Sequence, residues 1–248
     1  MPLPRLFLVV LAAAAGAQNA NYKLVFEDNF DGDKLNAEVW ETEVRTKAKA
    51  NYTEEAVTLK EGILTITTWT ENKDHLSGSI KMKKAHYFGL RQGKVEGRLR
   101  FNPTTGISTL FGHSTDAEDD KLPQTHIDIF ASWGYKKGGS YVNAVSWKDP
   151  GNPGQRKGQS KEHNASVGKF WHTYGVEWDE GGYRFSMDGK LRMTVKDAKG
   201  IAAQRGIWLA SSLPDTENSK SNFGPKESSK ATYEIDWVKA WKYVPPTK

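Results

Sequence analysis

Apolar and polar residues alternate at period two through much of this chain, and that spacing is typical of half-buried β-strands. In residues 93–101, for example, the apolar Val95 and Leu99 alternate with the charged Glu96 and Arg98. No long amphipathic helical pattern interrupts the series. The pattern therefore predicts an all-β fold, a two-sheet antiparallel β-sandwich of the jelly-roll type, in one domain over residues 21–248.

Short glycine-containing segments separate the alternating runs and predict hairpin turns between them. The expected turns are Glu61-Gly62, Gly181-Gly182 and Asp188-Gly189. Residues 148–164 are different, because they are rich in Gly, Pro, Lys and Gln, and their composition predicts a mobile loop.

The start of the chain has the pattern of a secretory signal peptide. Arg5 precedes an apolar run at 6–15, which is too short to span a bilayer, and small residues follow it. We expect residues 1–20 to be a signal peptide cleaved after Ala17 or Ala20. The protein is then secreted, to the cell exterior or the periplasm.

The segment 123–134 carries the most informative polar residues of the chain. At period two, Ile127 and Ile129 face one side of a strand. The opposite side receives Gln124, His126, Asp128 and Phe130. Two positions along a strand span about 7 Å, so the His126 and Asp128 side chains are expected to be neighbours.

Composition narrows the classes of partner. The absence of cysteine excludes thiolate metal sites and a cysteine nucleophile. The formal charge of +5 falls to about +4 without Arg5, which favours acidic partners, but no arginine-rich stripe indicates nucleic acid. Nine Trp and nine Tyr suit the apolar faces of sugar rings. The expected partner is thus a polysaccharide, bound by a monomer without cofactor, catalytic metal or membrane.

Several segments in order resemble glycoside hydrolase family 16, the laminarinase, lichenase and agarase group. They are residues 26–32, 93–100, 171–178, 183–189 and 235–241. The resemblance implies a concanavalin A-like jelly roll with a concave polysaccharide cleft. It places Gln124, His126 and Asp128 in that cleft together with Glu96 and Arg98.

The family's catalytic strand reads Glu-x-Asp-x-Glu, or Glu-x-Asp-x-x-Glu with a β-bulge, and holds two glutamates about 5 Å apart. On this sequence the first glutamate becomes His126 and the middle residue remains Asp128. The last glutamate becomes Phe130 or Ala131, according to the bulge. We therefore expect retaining hydrolysis to be improbable here, since both catalytic carboxylates are replaced.

One hypothesis that follows is a polysaccharide lyase acting by β-elimination on a uronate-containing glycan. His126 is then the base, with Asp128 either orienting it or purely structural, and Gln124-Thr125-His126 resembles the Gln-x-His strand of family 7 alginate lyases. Tyr135 or Tyr141 is the proton carrier. Arg98 neutralises the uronate carboxylate, or instead hydrogen-bonds neutral sugar hydroxyls.

The alternative hypothesis is a lectin-like descendant that binds polysaccharide without cleaving it, with a residual hydrolase as a further possibility. The residues assigned to sugar binding are Arg98, Glu96, His113, Phe130, Trp133 and Asn143. An apolar Phe130 suits the binding hypothesis, because an apolar residue can replace a catalytic glutamate in a descendant that no longer catalyses a reaction.

Overall fold

The computed structural model describes residues 21–47, 50–72, 74–102, 107–114, 124–132, 140–149, 152–163, 167–196, 205–212 and 230–246. Within these ranges the chain forms eighteen strands and two 3₁₀ turns, Glu54–Ala56 and Lys84–His86. The strands are β1 (Tyr22–Asp28), β2 (Trp40–Thr42), β3 (Arg45–Lys47), β4 (Ala50–Tyr52), β5 (Val57–Lys60), β6 (Ile63–Glu71), β7 (Asp74–Ser77), β8 (Ser79–Met82), β9 (Gly93–Phe101), β10 (Ser108–Ser114), β11 (Gln124–Ser132), β12 (Tyr141–Asp149), β13 (Asn152–His163), β14 (His172–Asp179), β15 (Gly182–Met187), β16 (Lys190–Val195), β17 (Gly206–Ser212) and β18 (Lys230–Tyr243).

The predicted signal peptide, residues 1–20, lies outside the described residues. In the described ranges, no helix has the length and apolarity that a membrane span requires.

The strands form two sheets that pack face to face. The large sheet has eleven strands in the order β16-β15-β14-β9-β18-β6-β7-β4-β3, with β1 beside β18 and β5 beside β6. The small sheet has seven strands in the order β13-β12-β11-β10-β17-β8-β2. The pairs are antiparallel except β4 with β7, which is parallel. The predicted all-β antiparallel sandwich is confirmed.

The core lies between the two sheets and is built from the alternate residues of each strand. In β9, Val95 and Leu99 are fully buried, while Glu96 and Arg98 point away from the core. The largest side chains that are fully buried include Trp40, Trp178, Tyr174, Tyr183, Tyr233, Phe111, Phe130 and Phe185. Burying each such aromatic side chain is worth about 2–3 kcal/mol, so the core determines which side of every strand faces outward.

The three predicted hairpin turns join β5 to β6, β14 to β15 and β15 to β16. Two of them hold consecutive left-handed residues, Glu61-Gly62 at φ 53° and 75° and Asp188-Gly189 at φ 50° and 72°. Such pairs match the right-handed twist of the flanking strands.

The prediction that residues 148–164 form a mobile loop was wrong. Most of this segment is β13, which pairs with β12 through contacts such as Val145 with Gln159 and Ala144 with Ser160. β13 is the edge strand of the small sheet, and residues 157–162 are exposed. Lysine, glycine and proline suit an edge strand, because they discourage pairing with a further strand, and this explains the loop-like composition.

We expect Gly182 and Gly189 to respond very differently to substitution by alanine. A Cβ on Gly182 (φ 123°) would lie 1.8 Å from the Val195 backbone oxygen, whereas a Cβ on Gly189 (φ 72°) meets no atom within 4 Å. Gly189→Ala should therefore cost about 1 kcal/mol of unfolding free energy, and Gly182→Ala about 3 kcal/mol or more. Urea unfolding of the two variants measures the difference, and equal losses would contradict the described β15–β16 pairing.

Candidate functional site

β11, which lies between β12 and β10 in the small sheet, carries the polar pair that the sequence singled out. Ile127 and Ile129 are fully buried between the sheets, as alternation predicted. His126 and Asp128 point to the opposite side, where their side chains are 25% and 17% exposed. The His126 Nε2 atom lies 2.7 Å from Asp128 Oδ1, so the two side chains form one polar unit on the outside of the sandwich.

A β-bulge in β11 decides which residue follows Asp128 on the outward side. Asp128 pairs with Ala144 of β12, but the next pair is Ala131 with Val142, so β11 contains one extra residue. The same extra residue appears against β10. As a result, Ala131 rather than Phe130 shares the outward side with His126 and Asp128.

Phe130 is fully buried, and its predicted outward placement was wrong. Its ring centroid lies 5.0 Å from that of Phe101 and 4.6 Å from that of Tyr174. The bulge turns two consecutive apolar residues, Ile129 and Phe130, into the core. Phe130 is therefore a packing residue and offers no surface to a sugar.

The outward side of the small sheet, here called the small-sheet face, can be followed strand by strand from the register. One row contains Glu41, Lys81, Trp208, Gly112, Asp128, Ala144 and Ser160. A second row contains Gly206, Ser114, His126, Ser146 and Gly158. A third contains Ser79, Ala210, Leu110, Ala131, Val142 and Glu162. The first two rows thus carry most of the polar groups of this face, and the third row, on one side of them, is mainly small and aliphatic.

Trp208 is the aromatic residue next to the polar pair on this face. Its ring meets the His126 ring edge to face, with centroids 6.1 Å apart. Its indole Nε1 donates a hydrogen bond of 2.7 Å to the buried Ser79 Oγ, which holds the ring in one orientation. Beside it is a recess of about 140 Å³ lined in part by Ser114, Tyr87 and Trp208.

Charges around the recess occur in opposite pairs. Lys81 Nζ lies 3.0 Å from Glu41 Oε1, and Arg45 lies 3.1 Å from Glu43. The hydrogen bond that Lys81 donates to Glu41 raises the pKa of Lys81, so this lysine stays charged and paired. Among the described residues, the recess therefore carries no excess of positive charge.

Glu96 and Arg98 were predicted to share a cleft with His126, and this placement was wrong. β9 belongs to the large sheet, between β14 and β18, so its outward residues lie on the opposite side of the sandwich. Arg98 forms an ion pair with Asp236, and its guanidinium lies 5.0 Å from the centre of the Trp171 ring. Alternation gave the correct face of β9 but could not show to which sheet the strand belongs.

Three further residues assigned to the site lie in the core instead. His113 is fully buried, with its ring 4.9 Å from that of Phe88 and 5.4 Å from that of Trp178. Tyr141 and Asn143 are also buried, because β12 turns these alternate residues inward. None of the three can touch a polysaccharide on the small-sheet face, so their predicted roles in catalysis or sugar binding were wrong.

The remaining predicted residues are less fully described. Gln124 begins β11 opposite Lys148, and its placement agrees with the predicted strand. Trp133 and Tyr135 lie outside the described residues. In the described part of the chain, no group of three His, Asp or Glu side chains is arranged to hold a metal ion. The expectation that no catalytic metal is used stays a prediction.

The two-sheet antiparallel sandwich, with the His126–Asp128 pair on its outer side, has the architecture of a jelly roll. Residues 44–239 match the sequence profile of Glycosyl hydrolases family 16, and the chain belongs to that family.

A β-glucanase from Fibrobacter succinogenes (strain ATCC 19169 / S85) is 26% identical over 171 residues. That match covers 63% of this chain and 45% of the relative, so the chain spans less than half the length of this curated relative.

Solved structures show the same fold at lower identity. A family 16 endo-glucanase from Bacteroides ovatus superposes with a TM-score of 0.74 at 21% identity, covering 87% of this chain and 99% of that one. A structure reported for endo-acting O-glycanases of the human gut microbiota, which initiate mucin breakdown, gives a TM-score of 0.76 at 18% identity, covering 91% and 92%. At these identities the likeness shows the fold alone.

These findings correct the expectation of a lyase. The matched family and the β-glucanase relative are glycoside hydrolases, and they offer no support for β-elimination. The structure removes two of the proposed participants as well, because Tyr141 is buried and Arg98 lies on the other sheet. The expectation that hydrolysis is improbable is corrected as well, because the matched family consists of glycosyl hydrolases. The assignment of His126, and of Phe130 or Ala131, to the family's two glutamate positions stays a prediction.

Sequence reasoning missed Trp208 and the recess beside it. A usable signal was present, because Trp208 stands between Ile207 and Leu209, both fully buried. At period two, a tryptophan between two core residues must point outward. An outward aromatic residue on a strand of a carbohydrate-active protein is a candidate platform for a sugar ring.

The burial of His113 predicts acid sensitivity of the fold. Burial of the ring, aided by the nearby Arg205 guanidinium, holds the pKa of His113 well below its ordinary value. Below about pH 6.5 the unfolded chain therefore takes up a proton that the folded chain refuses, and stability falls by up to about 1.4 kcal/mol per pH unit. The loss of stability begins near the pKa of His113 in the unfolded chain. It continues as the pH falls towards the lower pKa of His113 in the folded protein.

His113→Phe keeps a ring against Phe88 and Trp178 and should flatten this dependence. Urea unfolding at pH 7, 6 and 5 measures the slope. His86→Gln, at an exposed position, is the control and should keep the native slope. An unchanged slope in His113→Phe would show that the buried histidine does not control the acid sensitivity.

Proposed function

We propose that this protein binds an extended, neutral β-glucan along the small-sheet face. The observation that carries the proposal is the Trp208 ring, anchored by Ser79 and placed against the His126–Asp128 pair on the central strands. An aromatic platform beside paired polar groups is what a sugar ring requires, since its faces are apolar and its rim carries hydroxyl groups. The β-glucanase relative supports the choice of glucan.

The distribution of charge favours a neutral glycan over an acidic one. Lys81 and Arg45, the cations at the recess, are each paired with a glutamate. Arg98, the residue expected to neutralise a uronate, lies on the large sheet and is paired with Asp236. A uronate carboxylate on the small-sheet face would thus have to displace an existing ion pair to find a free cation among the described residues.

The size of the recess suits a chain that continues across the sheet. At about 140 Å³ it is smaller than the pockets of about 300 Å³ or more that enclose a whole small-molecule ligand. It can receive part of one sugar unit while neighbouring units lie over Trp208, His126 and Ser146. Export of the protein by its N-terminal segment, which we also propose, would bring this face into contact with extracellular glucan.

Replacing the aromatic platform should weaken binding selectively. Trp208→Ala is expected to reduce affinity for a mixed-linkage β-glucan oligosaccharide about tenfold, because the ring contact is lost. Trp237→Ala is the matched control: this tryptophan lies on the outward side of the large sheet, beneath Lys239, and its loss should change affinity less than about twofold. Isothermal titration calorimetry of both variants measures the difference.

Equal losses in the two tryptophan variants would contradict binding on the small-sheet face. Tighter binding to alginate or another polyuronate than to β-glucan would contradict the neutral ligand.

Hydrolysis of the bound glucan is a second candidate function. Asp128 favours it, because this partly exposed carboxylate lies on an inner strand of the small sheet in a family of glycosyl hydrolases. A carboxyl group so placed can assist departure of the leaving oxygen or stabilise the positive charge that develops on the sugar. The contact with His126 holds the carboxylate in place.

If the protein hydrolyses glucan, new reducing ends should appear from laminarin or mixed-linkage β-glucan. Asp128→Asn, which keeps the size of the side chain, should lower the rate about 100-fold or more while leaving affinity within about threefold. Glu96→Gln, on the large sheet, should retain the native rate. A native protein that binds glucan but releases no reducing ends would rule out this candidate and leave binding as the function.

A further inference from the structure

The β-bulge of β11 interrupts the regular pairing of the sheet at one buried residue. Ile129 has no register partner in β10 or in β12. It is also fully buried, so water cannot satisfy its backbone groups. A buried carbonyl without a partner costs about 1–3 kcal/mol, and the bulge therefore needs a donor from elsewhere.

Asn143 supplies that donor. It lies between Ala144 and Val142 on β12, directly opposite the two residues of the bulge. Its side-chain Nδ2 donates a hydrogen bond of 2.6 Å to the Ile129 carbonyl oxygen, and the side chain is fully buried. Since the amide nitrogen is committed to the carbonyl, the Oδ1 atom of Asn143 must accept a hydrogen bond.

His163 on the edge strand β13 completes the arrangement. Its Nε2 lies 2.8 Å from Asn143 Oδ1, so Nε2 must carry the proton. Its ring stacks on Tyr141, with centroids 4.6 Å apart and an interplanar angle of 22°. Burial, with Lys161 and Arg192 nearby, lowers the pKa of His163, which favours a neutral ring with one defined tautomer.

We propose that Asn143 and His163 are positioning residues for the small-sheet face, acting by holding the bulge of β11 through the Ile129 carbonyl. The bulge turns Phe130 into the core and Ala131 outward, immediately beyond Asp128. Without it, strict alternation would place Phe130 outward beside Asp128 and Ala131 inward. Asn143 and His163 thus determine the surface that β11 presents to a ligand, although both lie beneath it.

Two measurements test this inference: affinity for β-glucan and amide hydrogen exchange in β11. The affinity measurement rests on the proposed glucan binding. Asn143→Leu keeps a side chain of similar size but removes the donor to Ile129. Val145→Ala, at the next inward position of β12, creates a cavity without touching the bulge and serves as the stability-matched control. Both variants should lose thermal stability.

Asn143→Leu alone should reduce affinity for mixed-linkage β-glucan, by about tenfold, and accelerate amide hydrogen exchange in β11. Val145→Ala should keep native affinity and native exchange in β11.

The role of His163 is tested by asking whether a different hydrogen-bond donor at this position restores native exchange and binding. His163→Phe keeps the ring on Tyr141 but cannot donate to Asn143, and it should show the exchange and binding defects in weaker form. His163→Gln restores an N–H donor and should recover both. Equal behaviour of the phenylalanine and glutamine variants would overturn the role of His163.

The exchange readout separates this inference from the proposed function. If the native protein binds no glucan, the binding proposal fails, but faster exchange of β11 in Asn143→Leu alone still supports the positioning role. If Asn143→Leu and Val145→Ala accelerate exchange in β11 equally, the positioning role is overturned whatever the protein binds.

Discussion

Alternation of side chains against one shared core is the constraint on which this structure depends. The inner strands of both sheets, such as β6, β9 and β12, bury alternate residues between the two sheets, so their outward residues follow from their inward ones. A one-residue slip would exchange the two sets and expose the aromatic core. The bulge in β11 shifts this alternation by one residue, so that Ile129 and Phe130 both lie in the core. His126, Asp128 and Ala131 consequently share the outer side.

The two outward faces of the sandwich have different character. On the large sheet, arginines form close ion pairs with neighbouring strands, such as Arg100 with Glu234 at 2.6 Å and Arg184 with Asp179 at 2.8 Å. Arg184 lowers the pKa of Asp179 by hydrogen bonding, as expected of a satisfied pair. The small-sheet face combines an oriented tryptophan and small residues with the His126–Asp128 pair and the Lys81–Glu41 ion pair. That combination suits a long ligand lying flat across several strands.

Sequence reasoning could predict what depends on neighbours along the chain. It predicted the alternating strands such as β9 and β11, the hairpin turns and the outward placement of His126 and Asp128, because alternation and turn chemistry are local. It could not assign Arg98 to the large sheet, since the local sequence pattern does not show which distant strands pair with each other. Nor could it choose between Phe130 and Ala131, because the bulge depends on a hydrogen bond from Asn143 on another strand. The edge strand β13 was missed since its polar composition resembles that of a loop.

The central claim is that the small-sheet face is the polysaccharide site of this family 16 protein. A crystal structure of the protein with a mixed-linkage β-glucan oligosaccharide tests it most directly. We expect the sugar chain to cross the small sheet, with one ring against Trp208 and hydroxyl groups hydrogen-bonded to His126 and Asp128. An oligosaccharide seated on the outward side of the large sheet, against Trp171 or Trp237, would contradict the account.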